Sequence, residues 1–168
     1  FYPFLQRIGL LCMTNHVIPA HEHFSSHIIR KKIICATDGF ETIAKQKHNV
    51  VLFTPPGEMH EIPLLVINYL LRKHGAATTY FGVNVSAETL LYYSRQHSIS
   101  HLYSHLVTQL DSAGINDFIC SLCRKFPDKP VIISGPASNC INEYPSNLTH
   151  LNSLEEVISF TNSFNNKQ

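Results

Sequence analysis

The sequence predicts an α/β fold, a doubly wound parallel sheet of about five strands preceded by a short helical segment. From Asn49 onward, short apolar runs alternate with segments of helical periodicity along the chain. The apolar runs are continuous rather than interrupted by polar residues, which is typical of strands that are buried on both faces. Because crossovers between parallel strands are right-handed, this alternation places helices on both faces of a single sheet.

Helices are predicted before the sheet begins. Apolar residues recur at helical spacing along the first thirteen residues, and the pattern then breaks. Pro19 can open a second helix as a first-turn residue, and this helix is predicted to continue to about Ala44. We therefore divide the chain into a helical segment, residues 1–46, and an α/β domain, residues 47–168.

Each element of the α/β domain has a start or stop signal of its own. Gly75 and Pro127 end two of the helices, since glycine and proline do not continue a helix. Ser153 followed by Glu156 has the spacing of a capping box at the start of the last helix. Strands are predicted at residues 50–53, 78–81, 101–107, 131–133 and 148–151, and helices at 64–73, 86–96, 115–126 and from 153 onward.

The composition of this 168-residue chain excludes several classes of protein. Hydrophobic residues make up 44% and charged residues 15%, which is too apolar for a disordered chain. The net charge of +1 argues against a broad phosphate-binding surface. No apolar run approaches the ~18 residues of a transmembrane helix and no export leader is visible, so a cytoplasmic protein without membrane contact is predicted.

The cysteines also indicate a reducing environment. Five cysteines form an odd set with irregular spacing, which is not the pattern of a secreted disulfide scaffold. Cys120 and Cys123 have the CxxC spacing of redox sites, but they lie within an apolar helical run rather than at a helix start. They are predicted to be core residues.

The loops after the strands are the expected ligand site, because ligands of doubly wound sheets bind beyond the carboxyl ends of the strands. These loops comprise residues 54–63, 104–109 and 134–142. The first contains Glu58 two residues before His60, and a carboxylate that holds one ring nitrogen is typical of metal-ligating histidines. By residue type alone, a solvated loop is the simpler interpretation.

Three motifs in these loops resemble the cobalamin-binding module of methionine synthase and its relatives. That module is flavodoxin-like and carries DxHxxG after its first strand, SxL after its third and a double glycine after its fourth. Glu58 and His60 stand in the first motif, Ser104 and Leu106 form an SxL whose serine lies forty-four residues beyond His60, and Gly135 stands in the third. Each motif alone is weak, whereas three in order, each after its own predicted strand, form a specific pattern.

The resemblance implies a role for each of these residues. His60 would displace the cofactor's own base and ligate cobalt from below, with Glu58 hydrogen-bonded to its other ring nitrogen. Ser104 would contact the displaced nucleotide tail, and Gly135 would give that tail room. The sequence departs from the family in having Glu58 for aspartate and Pro63 for glycine, and proline fixes φ and removes a hydrogen-bond donor.

Residues 1–30 resemble the helical bundle of light-sensing MerR-type transcriptional regulators. Those proteins combine a winged-helix DNA-binding domain, a small helical bundle and a cobalamin module. Their bundle carries a tryptophan, nine further residues and then Glu-His. Here Glu22 and His23 occupy the last two places, and Cys12 and Met13 stand at the tryptophan and at its light-dependent histidine neighbour. The resemblance implies that these four residues line the upper face of the cofactor.

The predicted function is therefore a cobalamin-binding sensor region of a MerR-type regulator, photoresponsive or cofactor-responsive. An enzyme is not expected, since no nucleophile elbow, P-loop or dinucleotide fingerprint is present. The expected cofactor is adenosylcobalamin or methylcobalamin, and the expected partners are further copies of the chain and, through a separate domain, DNA. Two alternatives stay open: a corrinoid carrier module of a methyltransferase, and a degenerate module that no longer binds cobalamin.

Histidines elsewhere give a rival interpretation. His23 and His27 are four residues apart on a predicted helix, which is the spacing of a metal-binding pair. A zinc or iron site would need a further ligand, and a polar helix face is the favoured interpretation. His101 and His105 alternate along a predicted strand and are expected to cap the edge of the sheet.

Overall fold

The sheet confirms the predicted fold class. The computed structural model describes residues 18–40, 49–108 and 112–165. The strands are β1 (Asn49–Phe53), β2 (Ala77–Gly82), β3 (His101–His105), β4 (Val131–Ser134) and β5 (Leu148–Leu151). The helices are α1 (Pro19–Asp38), α2 (Ile62–Lys73), α3 (Ala87–Ser94), α4 (Ser112–Lys125) and α5 (Leu154–Asn162), with a 3-10 helix at Pro136–Cys140. All strand pairs are parallel in the order β2-β1-β3-β4-β5, the flavodoxin-like order with its switch point between β1 and β3.

Two element boundaries differ from the predicted ones for local reasons that matter to the site. β3 ends at His105, two residues earlier than predicted, because the backbone of residues 107–108 turns to hydrogen-bond the loop after β1. α2 begins at Ile62 and has Pro63 in its first turn, where a missing N–H leaves no helical bond unmade. Proline at the family's glycine position is thus compatible with the start of this helix.

Two apolar clusters cover the opposite faces of the sheet, since successive strand residues point to opposite sides. One cluster packs Phe53 and its neighbours on that face against α3 and α4. The other packs Leu52 and Tyr103 against α2 and α5. Ser104 and His105, consecutive at the end of β3, therefore lie on the first and the second face respectively. Burial on both faces explains why the strands are continuously apolar.

α1 lies along α2 and runs in the same direction. Close to the start of α2, Arg30 Nε lies 2.9 Å from Glu61 Oε2. Close to its end, Arg72 Nη2 donates to the carbonyl oxygen of Phe40 at 2.7 Å, and the Phe40 ring lies 5.3 Å from that of Tyr69. Because α2 begins at the carboxyl edge of the sheet, the half of α1 before Arg30 extends beyond that edge, by roughly 16 Å at 1.5 Å per residue.

The helical segment is described only in part. α1 ends at Asp38, short of the predicted end near Ala44, because Gly39 follows it and glycine disfavours helix. The predicted first helix, with Cys12 and Met13, lies outside the described residues. The division between residues 46 and 47 stays a prediction.

The fold also bears on the cysteines and on membrane contact. Cys120 and Cys123 are buried in α4, which confirms them as core residues. Burial raises the pKa of the Cys123 thiol to about 11, so this thiol is protonated at neutral pH. None of the helices in the described ranges combines the length and the apolar content that a membrane span requires.

Gly135, directly after β4, lies where the loops after β3 and β4 pack closely together. Its φ is +97°, and a Cβ there would lie 2.3 Å from the carbonyl oxygen of Leu106 and 2.9 Å from His105 Nε2. We expect Gly135→Ala to lower the free energy of unfolding by about 2–5 kcal/mol, because it adds overpacking to backbone strain. Urea denaturation measures the loss.

Gly57→Ala is the matched control for this prediction. Gly57 has a similar φ of +86°, but nothing lies within 4 Å of the position of its Cβ. We expect it to cost only about 1 kcal/mol, which is the strain without the clash. Equal losses in the two variants would contradict the packing argument at Gly135.

Candidate functional site

The loop after β1 is held in shape by hydrogen bonds of Thr54. Its Oγ1 donates to the carbonyl oxygen of Glu58 at 2.6 Å and accepts from the N–H of Asn84 at 3.1 Å. Its backbone N–H donates to the carbonyl oxygen of Gly82 at 2.9 Å. The loop is thereby tied to the end of β2, and the side chain of Glu58 leaves from a fixed backbone.

The carboxylate of Glu58 is the centre of the site. The residue is 2% exposed, yet both of its oxygens have partners. Oε1 accepts from the backbone N–H of His60 at 2.9 Å, from its ring Nδ1 at 2.7 Å, and from Thr108 Oγ1 at 3.1 Å. Oε2 accepts from the backbone N–H groups of Val107 at 2.8 Å and Thr108 at 2.6 Å. One side chain thus joins the loops after β1 and β3.

These bonds keep Glu58 ionised. Burial on its own raises the pKa of the carboxyl, but the hydrogen bonds from the His60 ring and from the backbone of Thr108, His60 and Val107 outweigh it. The resulting pKa is about 2, against 4.5 for an unperturbed glutamate. A buried negative charge therefore lies beside His60 at any physiological pH.

His60 is oriented by this charge, and one ring nitrogen remains for a ligand. Its side chain is 56% exposed, and Nδ1 donates to Glu58. Nε2 is then the nitrogen that can bind a metal ion when the ring is neutral, an arrangement common among metal-ligating histidines. The hydrogen bond to Glu58 raises the pKa of His60 against the opposing effect of burial, and the charges of Glu58 and Glu22 raise it further.

Ser104 carries a buried hydroxyl without a partner. Its Oγ is inaccessible to solvent and makes no hydrogen bond within the described residues. A buried unsatisfied hydroxyl costs about 1–3 kcal/mol, so such a group is expected where a ligand supplies the missing bond. Ser104 is aligned with Phe53 on the neighbouring strand.

A cavity of about 310 Å³ lies on the same side of the sheet as Ser104. The ring of Phe118 in its wall is 6.4 Å from that of Phe53, which links the cavity to the Ser104 end of β3. Its size is that of a small-molecule pocket. The wall is formed by the loop after β1, Thr108 and the first half of α4: Pro55, Pro56, Gly57, Glu58, Thr108, Gly114, Ile115 and Phe118.

Three further side chains form a buried polar cluster on the other face. His105 Nδ1 lies 2.8 Å from Ser134 Oγ, which is 2.6 Å from the hydroxyl of Tyr103. Burial lowers the pKa of His105 to about 4, so this imidazole is neutral at pH 7. The expectation that His105 caps the sheet edge was wrong, since it is 3% exposed and packs beneath Gly135.

Leu106, the last residue of SxL, is a core residue and not a wall of the cavity. Its side chain is fully buried, its N–H donates to the carbonyl oxygen of Ser134 at 2.8 Å, and its carbonyl oxygen accepts from Ala137 at 3.0 Å. The residue thereby ties the loop after β3 to the loop after β4. Its place in the cofactor site stays a prediction and would be indirect.

Glu22 and His23 lie on the half of α1 that extends past the carboxyl edge. Glu22 is half-buried and accepts from Ser26 Oγ, and its other oxygen lies 3.4 Å from His23 Nδ1. The His23 side chain is 82% exposed. The charge of Glu22 contributes to the raised pKa of His60.

The rival metal site receives no support from the structure. Within residues 18–40, 49–108 and 112–165, no group of three or more histidine, cysteine, aspartate or glutamate side chains could hold a metal ion. His23 and His27 are both exposed on α1. The favoured interpretation of a polar helix face is consistent with this arrangement.

Val107 and Thr108 belong to the site although no sequence motif identified them. They contribute two backbone N–H groups and a hydroxyl to Glu58, and no motif names them. One signal was available: a hydroxyl residue in the loop after β3, at the same sheet edge as the Glu58 loop. The sequence does not say that these amides turn toward Glu58.

Neither a scan against protein-family models nor a search of curated proteins finds a match to this chain. Solved structures match along 94% of its length. The monomethylamine corrinoid protein of Methanosarcina barkeri is 14% identical, with a TM-score of 0.69 and 77% of that chain covered. A cobalamin-binding protein from Desulfitobacterium hafniense DCB-2 is 13% identical, with a TM-score of 0.56 and 76% covered. A chain of the methanol:cobalamin methyltransferase complex from Methanosarcina barkeri is 15% identical, with a TM-score of 0.59 and 62% covered.

These structural neighbours are corrinoid and cobalamin proteins. At 13–15% identity the likeness establishes a shared fold, the flavodoxin-like sheet with helices on both faces. It extends beyond the sheet, because 94% of the chain cannot be covered without part of the helical segment. The fold class that the motifs implied is thus confirmed independently of the motifs.

The acid stability of the protein tests the buried charge of Glu58. Its pKa is near 4.5 when unfolded and about 2 when folded, so the carboxylate stabilises the fold above pH 4.5 and loses this effect as the pH falls toward 2. We expect the stability advantage of the wild type over Glu58→Gln to shrink by on the order of 3 kcal/mol between pH 6 and pH 2. Urea denaturation across that range measures it.

Glu88→Gln is the control, since Glu88 is a carboxylate on the surface that pairs with Lys125 at 2.6 Å. Its effect on the pH dependence should be far smaller, because solvent screens an exposed pair. His60 does not confuse the result: its raised pKa adds stability that is complete below pH 6.5 and fades only at higher pH. A parallel pH profile for the wild type and Glu58→Gln would contradict the assignment.

Proposed function

We propose that this chain binds cobalamin with His60 as the lower ligand of cobalt. The observation that carries the proposal is the bond from His60 Nδ1 to the buried, ionised Glu58 at 2.7 Å, which leaves Nε2 for the metal. The structural neighbours support it, since each is named for a corrinoid or for cobalamin. Imidazole held by a carboxylate is a suitable donor for such a metal.

The remaining site residues would hold the displaced nucleotide tail of the cofactor. The unpartnered hydroxyl of Ser104 would bond to the tail, and the largely apolar cavity beside the loop after β1 has the size for a heteroaromatic base. Gly135 keeps the adjoining loop free of a side chain. The two departures from the family do not disturb this fit, since Glu58 still reaches His60 and Pro63 lies in the first turn of α2.

We further propose that the chain is the cobalamin-sensing region of a MerR-type regulator rather than an enzyme. When bound, cobalamin would supply an organic upper ligand on cobalt that light can remove. Glu22 supports this role, because it lies on the part of α1 that extends past the carboxyl edge, its charge contributes to the raised pKa of His60, and it occupies the family's Glu-His position. His23 follows it, and Cys12 and Met13 stand at the family's upper-face positions. DNA binding would belong to a separate domain, and assembly of several copies would follow the state of the cofactor.

A corrinoid carrier is the second candidate, and a different observation favours it. The neighbours include a monomethylamine corrinoid protein and a methanol:cobalamin methyltransferase complex, and their likeness to this chain includes part of its helical segment. In that role the cofactor would be presented to a methyltransferase partner. The two roles would bind the lower face of the cofactor in the same way. They would differ in whether its upper face controls assembly or is presented to a methyltransferase.

Absorption spectra with hydroxocobalamin test the binding. The wild type should show the spectrum of cobalamin ligated by a protein histidine. His60→Ala should lose that spectrum and bind at least ~10–100-fold more weakly, since even the loss of an outer-shell partner of a ligand has that effect. His97→Ala is the control, because His97 is exposed and stacks on Tyr93 at the end of α3.

The outcomes separate the alternatives. Equal affinity and equal spectra for the wild type and His60→Ala would rule out His60 as the ligand. Absence of binding by the wild type itself would support the degenerate module.

Size-exclusion chromatography with adenosylcobalamin distinguishes the sensor from the carrier. A sensor should change its mass between the dark and the illuminated sample, because the cofactor state can shift assembly only through contacts that differ between the two states. Glu22→Gln should reduce that change, since it removes the charge that faces the cofactor. An unchanged mass in both conditions, with cofactor bound, would remove the switching role and leave the carrier.

A further inference from the structure

Glu61, the residue directly after His60, is shared between two elements. Its Oε2 lies 2.9 Å from Arg30 Nε on α1, and its Oε1 accepts from the hydroxyl of Tyr80 on β2 at 3.3 Å. The Glu61 side chain is 19% exposed and that of Arg30 is 44% exposed. The loop that carries His60 is thus bonded to the overlying helix by its very next residue.

The position of the Arg30–Glu61 contact along α1 determines which part of the helix it holds. A second polar contact lies just beyond the far end of α1, where Arg72 bonds to the carbonyl oxygen of Phe40. Arg30 is where α1 crosses the start of α2, and from there the helix extends past the carboxyl edge of the sheet. Glu22 lies about two turns beyond Arg30, at 3.6 residues per turn. A displacement of the part of α1 before Arg30 is therefore opposed at Arg30.

We propose that Arg30, Glu61 and Tyr80 form a latch that fixes the overhanging half of α1 relative to the His60 loop. Arg30 and Glu61 act as positioning residues, and neither is assigned contact with the cofactor. Tyr80 holds the carboxylate of Glu61 against β2, so that Arg30 meets a fixed partner. Because the Arg30–Glu61 ion pair joins the two, a displacement of the His60 loop moves α1, and a displacement of α1 moves the His60 loop.

The Arg30–Glu61 ion pair is weak enough for the latch to open. An ion pair that is partly exposed contributes little to global stability, and its loss changes a local equilibrium about two- to fivefold. The latch therefore holds α1 in one orientation without locking it there. An opening of this kind is local and leaves the sheet intact.

Amide hydrogen exchange of the full chain, without cofactor, tests the latch. Arg30→Gln and Glu61→Gln should each speed exchange in residues 23–30 by about two- to fivefold and leave α2 and the strands unchanged. Tyr80→Phe should have a smaller effect of the same kind. The double variant Arg30→Glu with Glu61→Arg restores an ion pair and should return exchange toward the wild-type rate.

Lys125→Gln is the matched control, because it removes the surface pair of Lys125 with Glu88 on α4 and α3. It should leave exchange in residues 23–30 unchanged. An Arg30→Gln variant that exchanges like this control, or that exchanges faster everywhere, would overturn the latch. Failure of the charge-swapped variant to restore protection would do the same.

A second measurement connects the latch to the cofactor, and this part rests on the proposed function. With hydroxocobalamin, Arg30→Gln should keep the histidine-ligated spectrum but bind about two- to fivefold more weakly. Unchanged affinity would overturn the coupling to the cofactor. If the wild type binds no cobalamin, the proposed function fails, whereas the exchange experiment still decides the latch.

Discussion

The arrangement of the loops at the carboxyl edge of the sheet depends on one buried carboxylate. Glu58 is ionised and 2% exposed, and its charge is balanced by hydrogen bonds from two loops that are far apart in sequence. A buried charge is costly unless it is fully hydrogen-bonded, so the two loops cannot separate without leaving Oε2 of Glu58 without its partners. β3 ends early for this reason, because Val107 and Thr108 must turn their amides toward Glu58. The same bonds set the orientation of His60.

The side chain of Glu58 forms this junction by itself. The side chain crosses from the loop after β1 to the amides of residues 107–108 while it still holds the ring of His60. Ser104, on the next strand, shows the opposite condition. Its hydroxyl is buried and unpartnered within the described residues. Glu58 is thus saturated by the protein, whereas the proposed function gives the Ser104 hydroxyl a partner in the ligand.

The two candidate functions would use the same residues on the lower face of the cofactor and would differ in what acts on its upper face. Either function would use the sheet, the Glu58–His60 pair and the cavity. α1 is the element that could distinguish them, because it carries Glu22 past the carboxyl edge and is tied to the His60 loop through Arg30 and Glu61. A helix held at that point can respond to the cofactor or can be moved aside for a partner. In both cases a small free energy must be enough to change the orientation of α1.

The sequence by itself determined the order and type of the elements and the candidate pair Glu58 and His60. Continuous apolar runs and helix stop signals are local properties, so strands, helices and the CxxC core positions could be predicted from them. The tertiary structure decided the rest. Thr108 contacts Glu58, Leu106 lies in the core, and His105 is buried against Ser134. Each of these contacts joins residues of two strands or loops that are distant in sequence, so the sequence pattern does not predict it. The low pKa of Glu58 depends on the neighbouring His60, which the sequence motif includes, and also on two amides about fifty residues away in sequence, which no local pattern identifies.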